Sequence, residues 1–562
     1  MGLLGEGEES STPFTHARLG ELTYLADDDV AQFFVPYASV PGRYRQSALL
    51  DASFGRRDCT KPGPVCPQMR DMSEHFGPAI DKSMVKVFGY LPTRWEIEYD
   101  ELECLNLTVA APRPALGSNS LRPVIVYIHG GGNSVGSGGH CGKTDPANLV
   151  RLSIQENNEV VVVAIDYRLH FLGFLASQDL VEYNAAHGEP PCNYGVHDVR
   201  NALLWVKKNI AAFGGDPDQV TAVGESAGSM MIGQQMCSTV PNLFRRAILM
   251  SSPPAGLRPY TLDAHDARYR GLLQRLNIPY DSLSPQQRVQ ALIDVPVGKF
   301  NDVLIEGRPE NPLFHCLQHP SFFPVPLTEE SQYELIAKCD WVDELIVGDM
   351  AFEGIIFSGL VTPPSGTYDT FHTLFTDTYG SASTTDKVFA AYHITPDLPP
   401  PDFTRAAAIL IGDIMITRGQ GHLVRYLTSP PPGVPKSKRV YFYHMEHPSP
   451  LRDSPLCGTP HHQLDVVFLF QNFNSTWSDP ADVRTAVEMG RRWVAFACGR
   501  APWAAYESEV KIAAVLLNGV SEVPRDADQN TRYAAMDLLT ELGVSNTKFA
   551  SHVELTLQPT SK

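Results

Sequence analysis

Short apolar runs alternate with helix-patterned stretches through the middle of this 562-residue chain. Pro123 to Ile128 (PVIVYI) is one such run and ends at glycines; Val160 to Ile165 (VVVVAI) is another. Continuous apolar runs of this length predict strands buried on both faces of a parallel sheet. Between Asp198 and Ala211, the residues Ala202, Leu203, Val206 and Ile210 recur at helical spacing. Val220 to Val223 predicts a further short strand, and Ser226 to Cys237 has the composition of a helix. Strands alternating with helices imply βαβ units, hence an α/β fold with a large, mostly parallel central sheet and helices on both faces. The proline-rich stretches Pro396 to Pro401 and Pro430 to Pro435 are short and flanked by patterned sequence. They read as surface loops of one large domain covering 1–562, and no repeat at solenoid periods divides the chain.

Composition narrows the function classes. Apolar residues make up 43% and charged residues 19%, enough for a sizeable core. The balance of 45 basic against 63 acidic side chains gives a net charge of −18, which argues against a nucleic-acid partner. The longest aliphatic stretch falls far short of the roughly 18 residues that suggest a membrane span. The first residues are acidic, contain no basic residue and precede no apolar signal core, so a cytoplasmic location is expected, or a secreted one should the N-terminus be incomplete. Ten cysteines without a CxxC pair predict neither a disulfide scaffold nor a zinc site, and no cofactor is implied.

Two motifs carry chemistry. Gly224-Glu225-Ser226-Ala227-Gly228 is a G-x-S-x-G sequence between a predicted strand and a predicted helix. That context suits a tight turn presenting a strained serine, with the glycines relieving the crowding that Cβ atoms would cause. His129-Gly130-Gly131-Gly132 follows the PVIVYI strand. Consecutive glycines let backbone N–H groups approach an oxygen that becomes negative during acyl transfer. A phosphate loop is the competing reading, but neither GxxxxGK[ST] nor GxGxxG spacing is present.

These motifs sit in a longer similarity. Glu103-Cys104-Leu, Asp166-Tyr-Arg-Leu, Asn193-Tyr-Gly-Val-His-Asp198, the stretch from Phe213 to Gly228 and Arg246-Ala-Ile-Leu-Met-Ser251 follow one another in order. In these blocks the chain resembles the type-B carboxylesterase/lipase family, which is cholinesterase-like and has the α/β-hydrolase fold. The resemblance implies a catalytic acid at Glu353, in Gly348-Asp-Met-Ala-Phe-Glu353-Gly354, with Asp349 as the rival carboxylate. It implies a histidine three residues before an acid, which selects His462 because Asp465 follows; His461 is the runner-up. Ser226 would then be the nucleophile, and the N–H groups of Gly131, Gly132 and Ala227 the oxyanion donors. The order serine, acid, histidine is that of α/β-hydrolases.

The same resemblance pairs Cys66 with Cys104 as neighbours able to form a disulfide, and makes the intervening segment, 67–103, a possible lid. Asn133 stands where an aromatic is usual, Val199 where glutamine is common, and Asn106 in place of an aromatic. The implied activity is hydrolysis of a moderately hydrophobic carboxylic ester or lactone, a small-molecule substrate, through an acyl-serine. An acyl-transfer enzyme using the same residues is the alternative, and a non-catalytic recognition protein a more distant one. Oligomeric state is not legible.

Overall fold

The computed structural model describes residues 10–27, 29–68, 95–139, 142–306, 313–361, 366–507, 509–525 and 532–556. Strands β1 (Ser10–His16), β2 (Gly20–Ala26) and β3 (Val30–Pro36) open the main sheet. A small separate pair, β4 (Ala38–Ser39) and β5 (Ala48–Leu49), precedes β6 (Arg56–Asp58), which lies beside β2. The centre is built from β7 (Asn106–Pro112), β8 (Arg122–Ile128), β9 (Val161–Ile165), β10 (Gly215–Glu225) and β11 (Arg246–Met250). It continues through β12 (Glu344–Met350), β13 (Arg439–Met445), β14 (Ile512–Leu516) and β15 (Val520–Pro524). The order is β1-β2-β3-β7-β9-β8-β10-β11-β12-β13-β14-β15. Every pairing from β9 through β14 is parallel; the flanking pairings are antiparallel except that of β6 with β2, which is parallel.

The side-chain period of two divides each central strand between two cores. Val124, Val126 and Ile128 of β8 join Val161, Val163 and Ile165 of β9 on one face, around Trp205. Ile125 and Tyr127 join Val162 and Ala164 on the other, around Trp493. Neither face meets water, which is why the strands read as continuous apolar runs. The expected helices are present as Tyr194–Asn209 and Ala227–Met236.

One expectation is corrected. Pro400 and Pro401 are the first two residues of the helix Pro400–Gly412 and not part of a loop. A proline at the first helical position loses no hydrogen bond and has a φ already suited to the helix. Two of the matched sequence blocks are joined by a buried ion pair: Arg168 Nε and a terminal nitrogen donate to the two carboxylate oxygens of Asp198, both at 2.8 Å. This bidentate contact explains why both blocks contain a charge that the core then surrounds.

Candidate active site

The serine turn is held by close backbone approaches. Ser226 has φ +54° and ψ −123°, between the end of β10 and the helix Ala227–Met236. A Cβ on Gly228 would stand 2.0 Å from the Ile128 carbonyl oxygen, and one on Gly224 would stand 2.4 Å from the Gly228 carbonyl carbon. Only glycines at these two places let the helix start so near the sheet. Ser226 N–H donates to Met250 O at 2.9 Å, so β11 restrains the strained turn.

The glycine loop lies against the same turn. A Cβ on Gly130 would fall 2.4 Å from Glu225 Oε2 and 2.9 Å from Ser226 Cβ. His129 Nδ1–H donates to Gly130 O at 2.8 Å. In a trans peptide the N–H points opposite the carbonyl, so this bond also orients the Gly131 N–H. Ser134 and Val135 N–H groups donate to Gly131 O at 3.0 and 3.2 Å, which orients Gly132 N–H in the same way. Among the described residues, the N–H groups of Gly131, Gly132 and Ala227 have no protein acceptor.

The acid and the histidine meet through their backbones. Phe352 N–H donates to Pro460 O at 2.9 Å, and His462 N–H donates to Phe352 O at 3.1 Å, forming an isolated bridge between the two loops. Across it, His462 Nδ1–H donates to Glu353 Oε2 at 2.5 Å, and Met350 N–H donates to Glu353 Oε1 at 2.8 Å. The glycine after the acid has its own reason: a Cβ on Gly354 would lie 1.7 Å from Ala408 O of the helix packed over the turn. The rival acid is elsewhere, since Asp349 accepts from His444 Nδ1 at 2.5 Å. The adjacent histidine also turns away: His461 Nδ1–H donates to His462 O at 2.7 Å, and burial lowers its pKa to about 4.

His462 Nε2 lies 3.0 Å from Glu225 Oε1, so a second carboxylate faces the ring on the side away from Glu353. Among the described residues, no hydrogen bond joins His462 to Ser226. Burial alone would lower the imidazole pKa; the Glu225 and Glu353 carboxylates outweigh it and hold His462 well above its ordinary value. Burial raises the Glu353 carboxyl, with the His462 contact opposing.

Glu225 and Asp465 are the residues that sequence reasoning did not single out as functional. Glu225 has a visible signal, being an acid at the end of the buried run Val220–Gly224 of β10. Asp465 stands out as the one charge in Leu464–Leu469, yet it served above only to fix the histidine register. It accepts from Tyr443 O–H at 2.8 Å and Ser251 O–H at 3.2 Å. Burial, then the Glu225 and Glu353 charges, push its pKa up to about 7 against the opposing Tyr443 bond. A carboxyl raised on folding stabilises fully below its unfolded pKa near 3.8 and loses that contribution as pH climbs through about 7. Asp465→Asn should therefore match wild-type stability near pH 4 and exceed it by about 1–3 kcal/mol at pH 8. Urea unfolding at both pH values checks this; an equal difference at each would refute the titration.

Cys66 and Cys104 are buried free thiols whose side chains touch. Their expected proximity is present and the bridge is not. Most of the proposed lid, 69–94, lies outside the described residues. Val199 packs in the core, and Asn106 Nδ2 donates to Pro64 O and Glu103 O, both at 2.8 Å. No helix among the described residues is long and apolar enough to cross a membrane.

A model of the carboxylesterase family matches residues 19–527. Lipase 1 of Yarrowia lipolytica is 26% identical over 504 residues, covering 86% of this chain and 87% of the lipase. The para-nitrobenzyl esterase of Bacillus subtilis is 32% identical over 328 residues, 58% of this chain and 59% of the esterase. The solved structure of a Geobacillus stearothermophilus carboxylesterase superposes with a TM-score of 0.72 at 22% identity, covering 93% of this chain and 100% of that one.

Proposed function

Because the chain belongs to the carboxylesterase family, we propose that it hydrolyses a moderately hydrophobic carboxylic ester or lactone through an acyl-serine on Ser226. The observation that supports this most is the convergence of the Glu353–His462 pair on the strained Ser226 turn, beside three N–H groups without acceptors. Ser226, Glu353 and His462 stand on loops beyond the carboxyl ends of β10, β12 and β13, where open parallel sheets place their sites.

In this reading Ser226 Oγ attacks the ester carbonyl while His462 Nε2 takes its proton. For this the ring edge turns from Glu225 to the next residue in the chain. Glu353 holds the Nδ1–H and compensates the charge of the imidazolium. The N–H groups of Gly131, Gly132 and Ala227 stabilise the oxygen of the tetrahedral intermediate. His462 then gives its proton to the leaving alkoxide. Water, deprotonated by the same imidazole, cleaves the acyl-serine to release the acid and restore Ser226. A panel of p-nitrophenyl esters tests the reading; a folded protein that turns over none of them, and that a fluorophosphonate probe does not label, refutes it.

Glu225 makes the pH dependence distinctive. His462 must be neutral to accept a proton, so kcat/KM should rise with pH along an acid limb placed above the ordinary imidazole value. Glu225→Gln removes one of the two charges holding the proton, so the limb should move down by about one pH unit or more. A pH–rate profile with the limb unmoved would show that this carboxylate does not act on His462.

A further inference from the structure

The amide at the position after the glycines performs a task that an aromatic there could not. Asn133 is 2% exposed and has φ +59°, a left-handed conformation that asparagine adopts at little cost. Its Nδ2–H donates to Phe314 O at 2.7 Å, and Phe314 N–H donates to Gly132 O at 3.0 Å. A third bond, from His170 N–H to Asn133 O at 2.7 Å, ties the loop to the start of the helix His170–Phe174. The backbone at Phe314 is thus closed onto the glycine loop by two complementary hydrogen bonds from a segment 181 residues away. One residue earlier, Leu313 packs on Ala227, Met230 and Leu257, the apolar cluster next to Ser226.

We infer that Asn133 is a positioning residue that sets the depth of the acyl-binding space, by clamping the Leu313–Phe314 segment to the oxyanion loop. The inference rests on the hydrolase reading above. One side-chain amide links the loop that would hold the oxyanion to the segment carrying the apolar wall. The place of the Leu313–Phe314 segment beside the serine turn is therefore set in part by a directional side-chain bond, which an aliphatic or aromatic residue would release. Asn133 Oδ1 is buried without a partner among the described residues. An orphaned acceptor costs about as much as a hydrogen bond gains, so the amide adds little net stability. Its effect on substrate choice can therefore be separated from any effect on folding.

The test measures kcat/KM for p-nitrophenyl acetate, butyrate and octanoate, with melting temperatures, for wild type, Asn133→Leu and Asn133→Ser. Both variants remove the Asn133 amide, and with it the bond to Phe314 O and the orphaned oxygen, while the Phe314 N–H bond to Gly132 O stays. The octanoate-to-acetate ratio should rise about fivefold or more as the wall retreats, since methylene-scale changes in a pocket are worth that much. Melting temperatures should stay within a few degrees of wild type. Should leucine in the left-handed conformation prevent folding, Asn133→Ser decides alone. Ratios within about twofold of wild type in folded variants overturn the inference and leave the hydrolase reading intact. A wild type inactive on all three esters and unlabelled by fluorophosphonate overturns both.

Discussion

Ser226→Ala should lower kcat by about 10⁴-fold to 10⁶-fold and abolish fluorophosphonate labelling, while circular dichroism and melting temperature stay close to wild type. The size follows from the proposed mechanism. In it, loss of Oγ removes the acyl intermediate, and only binding and the N–H groups of Gly131, Gly132 and Ala227 would be left to assist attack by water. Folding should survive because the turn depends on Gly224, Gly228 and the Ser226 backbone bond to Met250 O, none of which the substitution touches. Alanine does inherit the left-handed φ of +54°, so a small loss of stability is expected. Undiminished labelling of the Ser226→Ala protein at the same peptide would remove Ser226 from its role.

The second large effect separates two neighbours. His462→Ala should reduce kcat by about 10⁴-fold or more, whereas His461→Ala should keep activity within about tenfold of wild type. The Nδ1–H of His462 is held by Glu353 at 2.5 Å, while that of His461 is spent on the His462 carbonyl. Truncating His461 opens a small buried cavity and removes one local bond, so its cost should appear in stability before it appears in rate. A dead His461→Ala enzyme with normal melting behaviour, beside an active His462→Ala, would reverse the register.

Much of this arrangement was legible before any coordinates because its causes are local. An elbow at Ser226 needs glycines two residues to either side, and the backbone approaches at Gly224 and Gly228 are the physical reason. A doubly covered parallel strand must be apolar at consecutive positions, so VVVVAI could be assigned to β9 from its composition. Pro400 shows the limit. Proline marks either a loop or a helix start, and only the packing of Pro400–Gly412 over the Glu353 turn selects between them.

The chain alone therefore determined the α/β alternation, the serine turn and the glycine loop, since each is written in the steric needs of a few adjacent residues. Tertiary structure decided what depends on residues far apart in sequence. The Phe352–His461 bridge places His462, and not His461, on Glu353. The return of β13 gives Asp349 its own partner in His444 and leaves Glu353 as the carboxylate on His462. Burial among several carboxylates raises His462 and Asp465, and Phe314 arrives from 181 residues away to clasp Asn133. Charge coupling and hydrogen-bond closure act through space over a few ångströms, and no pattern along the chain records which distant segments come that close.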